Sequence, residues 1–242
     1  VTREFEISKE VEVDGTPEQV WDAIATGPGI DSWFMGPHTV DGRLGGRMTL
    51  DMGFFQESST ITAWEPGKHL AYSSAKGEDG TFHAMEYLIE GRDQGTTVLR
   101  FVHSGILADG WGDEFVDQQS HGWNMYLFTL GQYVKHFPGQ RGTYVFAQAP
   151  EEQPQDAWPR LAAALGVPAE FQVGDEVTLQ PLGVEGVVDY GLPGVMLGVR
   201  GPEGLYRFHG TNAVGHHVFG DATGQAERWQ AFLAQTLGGQ TS

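Results

Sequence analysis

Residues 113–137 read DEFVDQQSHGWNMYLFTLGQYVKHF. Within them Trp123, Tyr126, Leu127, Leu130, Val134 and Phe137 fall at i, i+3, i+4, i+7, i+11 and i+14, one face of a helix. Pro138-Gly139 ends the pattern. A helix with one apolar stripe needs a surface to bury it, and the preceding residues supply one. Met48, Leu50 and Met52 alternate with Arg47, Thr49 and Asp51, the period of a strand. Further strands are predicted at 58–65, 69–75, 82–90 and 96–104. They are separated by Pro66-Gly67, Gly77-Glu78-Asp79-Gly80 and Asp93-Gln94-Gly95, all turn chemistry. Short turns between successive strands predict an antiparallel sheet, with the long helix on one face: an α+β fold.

Upstream, Phe5, Ile7, Val11 and Val13 mark an alternating strand over 4–13. Thr16-Pro17-Glu18-Gln19 then offers a cap, a first-turn proline and a capping box to a helix carrying Val20, Trp21 and Ile24. That helix is expected to stop near Gly27-Pro28-Gly29. Downstream, 147–159 reads as a linker, Leu161–Leu165 as a short helix and 171–210 as strands. Residues 222–237 read as a helix with Trp229, Phe232, Leu233 and Leu237 on one stripe. The expected domains are 1–146 and a smaller one at 155–242. Leu44–Leu50 is echoed by Val173–Leu179, Pro66-Gly67 by Pro193-Gly194, and Phe101–Gly105 by Phe208–Gly210. Two accounts fit this echo: a partial repeat lacking its first strand and helix, or chance likeness of Gly-rich β segments.

Composition narrows the function. Gly supplies 35 of 242 residues, in keeping with many turns. No cysteine is present, so disulfides, thiolate nucleophiles and Cys-ligated zinc are excluded. The net charge is −18, split −11 over residues 1–150 and −7 over 151–242, which argues against nucleic-acid and anionic-membrane partners. No apolar run is long enough to span a membrane. Val1-Thr2-Arg3-Glu4 shows no signal pattern, so a cytoplasmic protein is the expectation.

Six short pieces occur in order: Val20-Trp21-Asp22-Ala23-Ile24, Trp33-Phe34, Gly45-Gly46-Arg47, Trp64-Glu65-Pro66-Gly67, His103-Ser104-Gly105, and Gly122-Trp123 opening the last helix. With them, residues 4–137 resemble the SRPBCC, or START-like, superfamily, in the branch named after the activator of heat-shock protein 90 ATPase. The resemblance implies a helix-grip fold, a curved antiparallel sheet around a long C-terminal helix, with a cavity between them. It constrains fold more than function, since members include carriers, cyclases and co-chaperone domains.

Alternation assigns the cavity wall. His83, Met85, Tyr87 and Ile89 point inward, opposite Glu86 and Glu90. Leu99, Phe101 and His103 point inward, opposite Arg100. Met48, Leu50 and Met52 join them, with Trp33 from the segment after the first helix. Trp123, Tyr126, Leu127 and Leu130 come from the long helix. A greasy wall with few polar points suits a small apolar or aromatic ligand, with no cofactor. A plain packed core is the competing account, with each inward histidine a satisfied core residue. An enzyme would use His103 or His83 as base beside a tyrosine such as Tyr87, in cyclase or dehydratase chemistry; no catalytic motif marks them. His209, His216 and His217, in what reads as a Gly-rich loop, are weak metal candidates against an expectation of surface histidines. Trp111, between Gly110 and Gly112, could gate the cavity or anchor a protein contact. A homodimer is compatible with the sequence, and nothing recognisable points to a chaperone contact.

Overall fold

The computed structural model describes residues 2–108 and 110–238. They form two compact units, divided between Arg141 and Gly142.

The first unit opens with strand β1 (Arg3–Val13). Helix α1 (Pro17–Ala25) follows, capped as its sequence requires. The Gln19 amide donates to Thr16 Oγ1 at 3.2 Å, and the Thr16 amide donates to Gln19 Oε1 at 2.9 Å. The helix stops at Ala25, just before Gly27-Pro28-Gly29 as expected, but that tripeptide itself opens a further helix. Thr26 caps a second short helix, α2 (Gly27–Asp31), and Pro28 fits its first turn. Six strands then run as a meander: β2 (His38–Val40), β3 (Arg47–Asp51), β4 (Gln56–Glu65), β5 (His69–Ser74), β6 (Phe82–Gly91) and β7 (Thr97–Leu107). β1 closes on β7, giving the antiparallel order β1-β7-β6-β5-β4-β3-β2. A register shift in β4 between Ile61 and Ala63 bends the sheet.

Helix α3 (Asp113–His136) completes the unit. Asp113 and Glu114 in its first turn, and Lys135 and His136 in its last, match the helix dipole. It begins at Asp113, so Gly122 lies mid-helix rather than at its opening. Trp123, Leu127, Leu130 and Val134 are buried, as the stripe required. A one-faced antiparallel sheet holding one long helix is the helix-grip fold.

The second unit has a sheet and helix of its own. Strand β8 (Thr143–Gln148) precedes and runs into the start of the region expected to be a linker, 147–159, and helix α4 (Ala157–Leu165) begins at its end. Gly166 ends α4 in the left-handed conformation at φ 76°, where glycine is least strained. Strands β9 (Glu176–Leu179), β10 (Val184–Leu192), β11 (Met196–Gly201), β12 (Gly204–His209) and β13 (Ala213–Val218) precede helix α5 (Gln225–Leu237). The sheet order is β8-β13-β12-β11-β10-β9. Trp229, Leu233 and Leu237 of α5 share one core with Val188, Leu197 and Phe208.

Both units therefore run strand, helix, antiparallel meander and long helix, with the first strand closing on the last. The opening strand and helix expected to be missing from the second unit are present. Among its described residues it lacks instead a counterpart of β2 and of α2. Val173–Leu179 leads into β9, the counterpart of β3, and Pro193-Gly194 turns β10 into β11 as Pro66-Gly67 turns β4 into β5. The third echo is offset: Phe208 and His209 lie on β12, whose counterpart is β6 and not β7.

Candidate functional site

A cavity of about 260 Å³ lies between the sheet of the first unit and α3. β3 gives it Met48 and Leu50, β4 Glu57 and Ser59, β5 Tyr72, β6 His83 and Met85, and β7 His103. Each strand contributes alternate residues, because successive side chains point to opposite faces. From α3 come Phe115, Gln119 and Trp123, at i, i+4 and i+8. Phe34, Met35, His38 and Phe55 complete the wall.

Of the residues read from sequence, Met48, Leu50, Met85, His83, His103 and Trp123 meet at this cavity. Trp33, Met52, Tyr87, Phe101, Tyr126, Leu127 and Leu130 are not among its lining. Met52 follows the end of β3. Trp33 is 1% exposed, and its indole N–H donates to the Ala23 carbonyl at 2.7 Å, tying α1 to the segment after α2. Phe101 is fully buried between Tyr87 and Trp123. Leu127 and Leu130 belong to the buried face of α3, and Tyr126 packs edge-on against Phe34. Trp111 is exposed and sits edge-on to Phe115, so it touches the lining without joining it.

The missed residues had partial signals. Glu57 and Ser59 share the parity of the buried Ile61 but are polar, which hid their inward face. Tyr72 alternates with Leu70. Phe115 and Gln119 extend the Trp123 stripe backwards by two turns. Phe34, Met35 and His38 stand in the irregular stretch around β2, where no period exists to read.

The polar groups form an ordered chain. Trp123 Nε1–H donates to His103 Nδ1 at 3.0 Å. His103 Nε2 and His83 Nδ1 are 3.0 Å apart. Indole nitrogen only donates, so His103 Nδ1 must be the acceptor. Burial, reinforced by the neighbouring His83, pushes the His103 pKa down to about 4, so the ring is neutral at pH 7. Its one proton is then on Nε2, which donates to His83 Nδ1. That bond in turn assigns the proton of His83 to Nε2. Phe5 backs the pair, 5.0 Å from His103 and 5.6 Å from His83 between ring centroids. It fits there because Gly105, its partner across β1 and β7, has no side chain.

The tyrosines near the site stay protonated. Burial pushes Tyr72 up to about 12 and also raises Tyr87 well above its ordinary value, and the two hydroxyls are bonded to each other. Burial also raises Tyr126.

The histidines proposed as metal ligands are placed differently from the expectation. His216 and His217 lie on β13, not in a loop, and are 0% and 1% exposed. His209 ends β12, and burial together with the Arg207 guanidinium holds its pKa near 4. His216 Nδ1 accepts the Arg207 amide at 2.9 Å, and its ring is packed edge-on by Tyr206, Phe208 and Trp229. Among the described residues, no group of three His, Cys, Asp or Glu side chains is placed to hold a metal ion. β13 is the topological counterpart of β7, and it too packs a histidine, His216, against a tryptophan of the closing helix, Trp229. These two ring centroids are 4.7 Å apart, against 5.9 Å for His103 and Trp123 in the first unit.

A curved sheet gripping a long helix over a largely apolar cavity defines a START-like, or SRPBCC, domain. The chain belongs to the family described as Activator of Hsp90 ATPase homolog 1-like protein, whose profile matches residues 14–135. Three solved structures are similar. Protein MLL2253 of Mesorhizobium loti is 20% identical, with TM-score 0.47, covering 55% of this chain and 98% of its own. The Aha1 dimer of Colwellia psychrerythraea is 19% identical, with TM-score 0.45, covering 53% and 95%. Protein BH1534 of Bacillus halodurans is 24% identical, with TM-score 0.46, covering 55% and 99%. No curated protein matches the chain. Among the described residues, no helix is long and apolar enough to cross a membrane.

Proposed function

We propose that the first unit binds a small, mainly apolar molecule in the cavity between sheet and α3. The cavity itself carries this proposal: about 260 Å³, with Met48, Leu50, Met85, Phe34 and Trp123 supplying apolar wall and His38, Glu57, Ser59, Tyr72, His83, His103 and Gln119 its polar points. It is slightly below the ~300 Å³ at which pockets for drug-sized molecules begin, so a mono- or bicyclic ligand fits best.

Base catalysis has less support from the geometry. A general base needs a free lone pair within reach of substrate. Both His103 nitrogens are engaged, one by Trp123 and one by His83, and His83 Nδ1 is engaged by His103. The Tyr87 hydroxyl is bonded to Tyr72. Binding uses this arrangement as it stands; His103 or His83 acting as base would have to dismantle it.

The neutral bicyclic fluorophore 1-naphthylamine tests the proposal by fluorescence titration of the full chain. The wild-type chain is expected to bind it with saturable enhancement. Met85→Trp, which fills the cavity, is expected to weaken binding by about tenfold or more, ~1.4 kcal/mol, at an unchanged melting temperature. Equal titration of both chains would place the dye elsewhere and contradict the proposal.

A further inference from the structure

We infer that the ligand presents a neutral hydrogen-bond acceptor, such as a ketone carbonyl oxygen, to His83 Nε2–H, and that Trp123 and His103 fix that nitrogen as a donor. The inference rests on the binding function proposed above and specifies its polar contact. It starts from one constraint: Trp123 Nε1 has no lone pair to offer. With that N–H on His103 Nδ1 at 3.0 Å, the only arrangement that keeps both bonds runs in one direction. Trp123 donates to His103, His103 donates to His83, and His83 is left with its N–H on Nε2. The reverse direction would set two N–H groups against each other at His103 Nδ1. The chain is therefore polar, and its donor end belongs to a residue on the cavity wall.

The direction is reinforced by its surroundings. His103 is 3% exposed and is packed against Phe5, His83 and Trp123, so the solvent has little access to its ring. Hydrogen bonds in series within a low-dielectric core strengthen one another, which makes the terminal N–H a better donor than a lone imidazole. The His83 amide is itself held by Ser74 Oγ at 3.0 Å, which fixes the backbone from which the ring projects.

The acceptor should be neutral. No lysine or arginine is among the described residues that line the cavity, whereas the Glu57 carboxylate is. An anionic ligand would lose its hydration with no cation to replace it, beside a carboxylate, in a chain of net charge −18. A carbonyl oxygen accepts the His83 N–H without that penalty. Trp123 and His103 act through His83 and are positioning residues.

Two probes of one shape separate this inference from the binding proposal beneath it. 1-Tetralone and 1-methylenetetralin differ only in a C=O replaced by C=CH2. Calorimetry on the full chain is expected to show the ketone binding about tenfold more tightly, the worth of one well-placed hydrogen bond. His83→Phe is expected to make the two equal by weakening the ketone alone, and His83→Gln, which can donate from a similar position, to restore part of the preference. Independently of any variant, 15N spectra of the wild-type imidazoles should show the proton on Nε2 in both His83 and His103. In Trp123→Phe the His103 tautomer should cease to be fixed. Equal binding of both probes to the wild-type chain, a preference that survives His83→Phe, or an Nδ1–H tautomer at His83 would each overturn the inference while leaving the cavity as a binding site. Binding of neither probe would overturn both.

Discussion

Gly105 lies opposite both His83 on β6 and Phe5 on β1. A Cβ there would come within 2.1 Å of the Phe82 carbonyl oxygen and 3.0 Å of Phe5 Cε1. The first is backbone and cannot step aside, so Gly105→Ala is expected to destabilise the first unit by about 2–3 kcal/mol, the range of core overpacking. A urea titration should show the midpoint falling with little change in slope. An unchanged midpoint would mean that the Phe5 ring is not locked against the histidines. At this scale the sequence was partly readable. His83, His103 and Trp123 were identified because alternation and helical period place a side chain on a face. Their hydrogen bonds were not, because the direction of a ring nitrogen depends on partners twenty residues away. Tyr87 and Phe101 were assigned to the correct face but the wrong depth: parity separates inward from outward, and cannot separate a cavity wall from the core behind it.

Among the elements, α3 was the most legible, since six apolar residues at helical spacing admit one interpretation. Its first two turns were less so. Phe115 and Gln119 extend the stripe, but acidic and amide residues surround them, as befits the exposed N-terminal end of a helix. β13 was hidden for the opposite reason. Its residues Ala213 to Val218 are buried on both faces, so no alternation betrays a strand, and the adjacent glycine and histidines suggested a loop. β8 and α4 were obscured by prolines. Pro159 occupies the third position of α4, where the missing N–H has no intrahelical acceptor to lose, so it marks a helix start and not a linker. The topology of the second unit became visible only through pairing: β8 closes on β13 as β1 closes on β7. A resemblance in order over 4–137 thus conveyed the first unit, and three short echoes conveyed only part of the second.

For the molecule as a whole, buried neutral histidines set the response to acid. Each has a folded pKa below the unfolded value near 6.5, so the unfolded chain binds more protons as pH falls. Their contribution is present above about pH 6.5 and is lost progressively as pH falls below it, through about pH 4 for His103 and His209. His103 gives the first unit one such group; His209 and His216 give the second unit two. For His103 and His209, which fall from 6.5 to about 4, the linkage is on the order of 3 kcal/mol each; His216 adds to the second unit in the same direction. Hydrogen exchange read separately over the two units should show the second losing protection first between pH 6.5 and 4.5. Earlier loss in the first unit would contradict this account of their burial. The central claim, however, concerns the cavity, and native mass spectrometry tests it most directly. The freshly purified chain is exposed to a small-molecule extract, and anything retained is released by denaturing extraction. The expected result is one discrete neutral molecule per chain, absent when Met85→Trp is treated alike. A wild-type chain that retains nothing, or retains the same molecule in Met85→Trp, would contradict the claim that this fold holds its ligand between sheet and helix.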